Sequence, residues 1–235
     1  MYKRQGRIRV EGGTEAQKKV FYTGLYHALI HPNVLSDVNG EYPAMESAEI
    51  RTAEGNRYTV FSLWDTYRNL HQLLTLVYPE RQLEMVRSMV GMYREWGWLP
   101  KWELYGRETF TMEGDPSIPV IVDTWMKGLR DFDMDAAYEA MRKSATTPGA
   151  RNRMRPDIDP YIEKGYVPLG FYARDLSGDN SVSHALEYYI ADHALSLLAD
   201  SLGKKDDAAL FRARSLGYKN YYSTCLLYTS PSPRD

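Results

Sequence analysis

The chain has 235 residues, room for one large domain or two small ones with an ordinary hydrophobic core. Lys plus Arg number 29 against 31 Asp plus Glu, a net charge of -2, so the basic excess that gathers nucleic-acid phosphates or anionic lipid is missing and no nucleic-acid partner is expected. A single cysteine, Cys225, excludes an internal disulfide and a thiolate zinc site, and apolar runs such as 73–78 and 118–122 fall far below the roughly 20 residues of a membrane span.

Residues 1–5 carry no apolar signal-peptide core, and the run after residue 222, STCLLYTSPSPRD, has neither periodicity nor packing logic. Both read as non-native sequence, at 1–5 and 224–235, around one partial domain at 6–223. Between them the periodicity predicts seven helices. The first starts at a capping box, Thr14 with Gln17, and carries Val20, Phe21, Leu25, Ala28 and Leu29 on one face to about residue 30. His27 and His31, four apart, lack an acidic third ligand at a fixed offset, and Pro32 ends the helix, so they do not read as a metal pair. A stretch rich in Pro, Asn, Asp and Gly separates it from a second helix over 60–78. Pro79 opens a third, with Leu83, Val86, Met89, Val90 and Tyr93 in one stripe, and Gly97 closes it.

A long connection, GWLPKWELYGRETFTMEGDPS, leads to a fourth helix over 118–131, with Ile121, Val122, Trp125 and Leu129 as its apolar face. Asp133 or Asp135 caps a fifth through Tyr138 and Met141. The next 35 or so residues hold Pro148, Pro156, Pro160 and Pro168 and are expected to be non-helical. A sixth helix begins near Ser181 or Ser183, and a seventh spans 205–222. Strand support is slight: 58–61 and 165–169 could pair briefly. Connections alternate long and short, which in antiparallel hairpins gathers the long loops on one face. The fold class expected is all-α, an α/α solenoid or a toroid, with function on the long-loop face.

That face receives the residues able to bind a polar ring. Trp64 beside Asp65 suits a pyranose, whose apolar side stacks on the indole while the carboxylate accepts from vicinal hydroxyls; a core Trp with a helix-N-terminal Asp gives the same letters. The second long loop brings Trp96, Trp98, Lys101, Trp102, Glu103, Arg107, Glu108 and Asp115. Tryptophans there are hard to account for by helix packing, whereas Arg107 and Glu108 fit a loop ion pair as well as a substrate contact. His184 and Glu187 stand three apart on one helical face, compatible with acid and base chemistry, with a metal, or with a capped helix start. Gly-rich phosphate loops, nucleophile elbows and HExxH are absent from the sequence.

The run from Phe61, FSLWDTYRNLHQLLTLVY, continuing PERQLEMVRSMV, resembles glycoside hydrolase family 92, the calcium-dependent exo-acting α-mannosidases. HPNVLSDVNGEY from His31, WLPKWEL from Trp98, GRETFTM from Gly106, IPVIVDTWMKGLRDFD from Ile118, GYVPL from Gly165 and SVSHALEYYIADHALSLLADSLGK from Ser181 are similar to its successive blocks in order. The resemblance implies an incomplete (α/α)6 toroid and an enzyme that removes terminal α-linked mannose from glycans by calcium-assisted inverting hydrolysis. It implies that the general acid, the base and the calcium ligands lie downstream, so that this chain alone is inactive, and that the parent is secreted or periplasmic. It carries a substrate-binding role to Trp64 and Asp65 and, less directly, to Glu108. Trp98, Trp102, Arg107, His184 and Glu187 are further candidates without an assigned role, and Gly114, Asp115 and Pro116 depart from the family pattern. The alternatives from the residues themselves are a non-catalytic helical-repeat binding module and another toroidal carbohydrate enzyme.

Overall fold

The computed structural model of the chain describes residues 6–170 and 180–222. The boundaries expected at 5 and 224, the tail and Cys225 lie outside the described residues. The described chain is mostly helical and divides into two compact units, Met1–Met112 with Pro116–Lys143, and Glu113–Asp115 with Ser144–Asp235.

In the first unit, α1 (Glu15–Ala28) starts as its capping box dictates: the Gln17 N–H donates to Thr14 Oγ1 at 3.2 Å and the Thr14 N–H donates to Gln17 Oε1 at 2.8 Å. Its expected apolar face is nevertheless largely open, with Leu25 buried but Val20 and Phe21 exposed. The single helix expected over 60–78 is divided. Residues 58–62 are instead two strand pieces, β4 (Tyr58–Thr59) and β5 (Phe61–Ser62), followed by the short α2 (Leu63–Thr66) and then α3 (Leu70–Val77). Val60, between the strands, has φ 61, a value that costs a β-branched residue strain. This kink lets one run serve two sheets: β4 pairs with β1 (Asn33–Val34), and β5 pairs with β6 (Trp102–Leu104). A separate hairpin joins β2 (Glu41–Pro43) to β3 (Ile50–Thr52).

The third helix follows its local signals closely. α4 (Pro79–Trp96) has Pro at its start, where a missing N–H costs nothing, and Gly97 at φ 92 ends it. β6 and β7 (Arg107–Glu108) form a hairpin inside the long connection read as irregular, so β5, β6 and β7 make a three-stranded antiparallel sheet. α5 (Ser117–Met126) stops earlier than expected, and Asp133 caps α6 (Met134–Thr146) by accepting from the Ala136 N–H at 3.0 Å.

The second unit corrects the reading of the proline-rich stretch. α7 (Ile158–Lys164) forms within it, with Pro160 in its first turn, where proline is tolerated, and Gly165 at φ 74 closing it. Residues 165–169 form no strand. α8 (Ser181–Ser201) packs on α9 (Lys205–Ser215), and the helix expected to reach residue 222 tightens into a 3-10 turn at Leu216–Tyr221.

The core of this unit is ionic as much as apolar. Arg155 is fully buried, its Nε 3.0 Å from Asp115 Oδ2 and its Nη1 2.7 Å from Asp192 Oδ1, while its guanidinium lies over the Tyr188 ring. Tyr161 donates to Asp192 at 2.9 Å, Tyr188 donates to Asp157 at 2.6 Å, and Ser144 donates to Asp115 at 2.6 Å. Burial works against the Arg155 charge, but Asp192 and Asp115 outweigh it and hold the guanidinium's pKa above the ordinary value. Asp115, expected on a ligand-facing loop, is therefore part of a buried ion pair.

Replacing Arg155 by Met keeps most of the volume but takes the guanidinium from buried Asp115 and leaves buried Asp192 only Arg214, 3.0 Å away, as a cationic partner. The expected loss is about 3 to 5 kcal/mol in urea unfolding. A loss below about 1 kcal/mol would show that the pair is not what holds this unit together.

Candidate active site

The register of the three-stranded sheet decides which candidates can meet a ligand. Ser62 pairs with Trp102, Leu104 with Arg107, Phe61 with Glu103, and Glu103 with Glu108. Directly opposed residues share a face and neighbours along a strand alternate. One face therefore carries Ser62, Trp102, Leu104 and Arg107, none of them buried; the other carries Phe61, Glu103 and Glu108, all buried. α2 continues from Ser62, so Trp64 and Asp65 leave the end of β5 beside Trp102.

Asp65 is exposed and accepts from the Ser62 hydroxyl. Trp64 is half-buried, with the Arg68 guanidinium 4.5 Å over its ring. The indole N–H groups of Trp64 and Trp102 are buried without a hydrogen-bond partner among the described residues. An exposed acid and partly exposed indoles are groups that can hold a polyhydroxylated ring, the acid by accepting from hydroxyls and the indoles by stacking.

Glu108 is held through its carboxylate by the backbone of its own loop. The N–H groups of Lys101, Trp102 and Phe110 donate to its carboxylate at 2.8, 2.9 and 2.8 Å. Its own N–H donates to Glu46 Oε1 at 2.7 Å, and the Glu46 N–H donates to the Gly106 carbonyl at 2.7 Å. Burial raises its pKa, opposed by those three backbone bonds. Of about four acceptor positions on a carboxylate, three are occupied by the loop that carries Trp102. The alternating faces also separate Arg107 from Glu108, which removes the loop ion pair as an explanation of either.

Glu103, expected on the functional loop face, is fully buried and accepts from the Thr59 hydroxyl at 2.8 Å and from the Gly106 N–H at 2.5 Å. Burial raises its pKa as well. The strained backbone of this region is concentrated around the same hairpin: Glu46, Val60, Tyr105, Phe110 and Met112 all have positive φ.

Other expected residues stand elsewhere. Trp98, read as a ligand-facing loop residue, is buried in the first unit with the Lys143 ammonium 4.5 Å over its ring. Trp96 is the last residue of α4 and packs against Phe110. In the second unit His184 is buried on α8 with its ring against Tyr188, and Glu187 lies against Gly114, where an added Cβ would stand 2.4 Å from that of Glu187. Among the described residues no group of three or more His, Cys, Asp or Glu side chains could hold a metal ion. A surface cavity of about 540 Å³ lined by residues including Asp37, Val38, Asn39 and Asn56 includes none of the predicted site residues.

The turn bearing Trp64 and Asp65 is tied to the helices behind it by a buried histidine. His71 Nε2 lies 3.1 Å from Thr66 Oγ1 and its Nδ1 2.9 Å from Gln82 Oε1, and Gln82 Nε2 donates to Thr124 Oγ1 at 2.9 Å. The chain thus links α2, α3, α4 and α5.

The sequence profile of the glycosyl hydrolase family 92 catalytic domain matches residues 3–232, and the chain belongs to that family. The catalytic domain of the family is an (α/α)6 toroid, which sets the fold class of the chain. Among solved structures it is similar to a family 92 α-mannosidase from Bacteroides thetaiotaomicron, at 36% identity and a TM-score of 0.81 over 92% of this chain and 28% of that one. The same enzyme has been solved in complex with mannoimidazole. It is also similar to a family 92 inverting mannosidase from the same organism, at 32% identity and a TM-score of 0.83 over 94% of this chain and 30% of that one. An uncharacterised secreted glycosidase from the fungus Arthroderma benhamiae is 26% identical over 220 residues, 92% of this chain and 24% of that protein. The chain thus spans less than a third of the length of these relatives.

His71 makes stability depend on pH with a definite sign. Burial pushes its pKa down to about 4 from an ordinary 6.5. Between those values the unfolded chain binds a proton that the folded chain refuses, so this contribution is complete above about 6.5, falls as the pH drops, and levels off below about 4. The span corresponds to about 3 kcal/mol. The raised Glu103 and Glu108 act with the opposite sign, so the comparison is with His71→Gln, whose unfolding free energy should lack this decline. Parallel pH profiles for the two proteins would show that His71 does not titrate as described.

Proposed function

We propose that the chain is part of a glycoside hydrolase that removes terminal α-linked mannose from mannose-containing glycans with inversion at the anomeric carbon. Family membership and the likeness to an α-mannosidase and to an inverting mannosidase support this over a non-catalytic helical-repeat module. The observation that supports this placement of the site is the open face of the β5–β6–β7 sheet, which carries Ser62, Trp102 and Arg107, with Trp64 and Asp65 following Ser62 in the chain.

In this reading Asp65 accepts hydrogen bonds from hydroxyls of the terminal sugar, Trp64 and Trp102 cover its apolar surface, and Arg107 borders the same face. Glu108 contributes through Trp102 and Lys101, whose backbone it fixes. Inverting hydrolysis needs one carboxylic acid to protonate the leaving oxygen and a second carboxylate to activate water, about 6.5 to 9.5 Å apart. Both are assigned to polypeptide of the parent outside this chain. Calcium, when bound in the parent, would grip vicinal hydroxyls through oxygen coordination. In this reading its ligands too belong to polypeptide of the parent outside this chain. By the likeness to a secreted fungal glycosidase, the parent acts outside the cytoplasm.

Asp65→Ala in the full-length parent should lower kcat/KM for an α-mannoside about tenfold to a hundredfold, because each lost charge-assisted hydrogen bond costs about 1.5 to 3 kcal/mol. An unchanged value would return Asp65 to the role of helix-terminal charge. The 235-residue chain by itself should release no mannose from an α-mannoside, with or without calcium. Release that a chelator abolishes would place the acid and base inside it.

A further inference from the structure

The hydrogens around His71 can be counted, and the count assigns the imidazole a task. The Thr124 hydroxyl donates its one hydrogen to the Val120 carbonyl at 2.7 Å, so toward Gln82 it is an acceptor and receives the Gln82 amide N–H at 2.9 Å. That fixes the Gln82 amide with its oxygen toward His71 Nδ1, 2.9 Å away, so Nδ1 carries the ring hydrogen. In the neutral ring Nε2 is then a bare acceptor, 3.1 Å from Thr66 Oγ1. Thr66 has one hydroxyl hydrogen and two acceptors for it: His71 Nε2, and the Ser62 carbonyl, also at 3.1 Å. An acceptor buried with the ring and left empty is costly, so the neutral ring draws the hydrogen to itself. A proton added at Nε2 reverses this: the ring donates to Thr66 Oγ1, and the hydroxyl turns to the Ser62 carbonyl.

We propose that His71 is a positioning residue for the Ser62–Asp65 turn, its bare Nε2 holding the Thr66 hydroxyl away from the Ser62 carbonyl. The same Ser62 supplies the hydroxyl that Asp65 accepts, so the state of the ring reaches the exposed carboxylate through two residues. Facing the ring are Thr66 from α2 and Gln82 from α4. From α5 the Asp123 carboxylate acts on it, itself paired with Lys127 at 2.7 Å. At neutral pH the ring is held uncharged and the hydroxyl is fixed in one of its two directions. The bearing of this relay on sugar binding rests on the reading of Trp64 and Asp65 given above; the relay itself does not.

The test is nuclear magnetic resonance of the 235-residue chain carrying Asp65→Asn, so that titration of that carboxylate does not contribute. The imidazole nitrogen shifts at pH 7 should report the Nδ1–H tautomer. Between pH 7 and 4 the Ser62 amide and Trp64 indole signals should move with the midpoint of His71. Thr66→Val should abolish that shared movement while His71 still titrates, and Thr66→Ser should restore it. An Nε2–H tautomer at pH 7 overturns the proposal without any further variant. So does movement of the Ser62 and Trp64 signals that survives Thr66→Val. Methyl α-mannoside is titrated separately into the chain without the Asp65 substitution: no perturbation at Trp64 would count against the sugar site, and the pH series would still decide the relay.

Discussion

Three backbone N–H groups converge on the Glu108 carboxylate, and the exposed side of the sheet takes its form from that convergence. The segment from Lys101 to Phe110 must turn back on itself within a few residues, presenting Trp102 on one side while its own polar backbone is covered on the other. A carboxylate inside the turn satisfies donors that strand pairing leaves over, and the Glu46 side chain takes the Glu108 N–H in the same way. Glu103, directly opposite Glu108, repeats the arrangement with Thr59 and Gly106. Two buried acids thus shape the face on which Trp102 and Arg107 stand.

The second unit uses the same economy with the charges exchanged. There a buried guanidinium is the centre and carboxylates are its neighbours: Asp115 and Asp192 approach Arg155, and Tyr161, Tyr188 and Ser144 occupy further acceptor positions on the surrounding acids. Such a network is weak evidence of net stability, because desolvation offsets much of the attraction. What it supplies is direction. The short Glu113–Asp115 segment is anchored to a unit otherwise built from residues after 143, and Gly114 lets it approach Glu187 more closely than any side chain would allow.

Backbone strain follows the same map. Five residues other than glycine with positive φ, Glu46, Val60, Tyr105, Phe110 and Met112, are spread along the segments that build or flank the three-stranded sheet. Strained backbone persists where surrounding bonds over-determine it, and the acid-centred hydrogen bonds provide that excess of constraint. At Val60 the consequence is topological: the kink passes the chain from one sheet to another and delivers Ser62 opposite Trp102.

What the sequence determined by itself was whatever depends on residues a few positions apart. The Thr14 and Gln17 box, Pro79 opening a helix, Gly97 closing it and Asp133 capping the next are local bonds or local backbone preferences, so their letters are sufficient. The ordered family blocks are similarly legible, and with them the class of the chain. The break after α2, the hairpin in the tryptophan-rich loop and the helix within the proline-rich stretch were not legible, because short strands and single helical turns are stabilised by partners elsewhere in the chain. The sharpest division falls among the acids. Asp65, Glu108 and Asp115 look alike as acids at or near the long loops, yet one is exposed, one is filled by its own loop, and one is buried against an arginine 40 residues away. Only the tertiary structure could separate them, since a carboxylate's role is set by which donors reach it, and those donors are fixed by the fold.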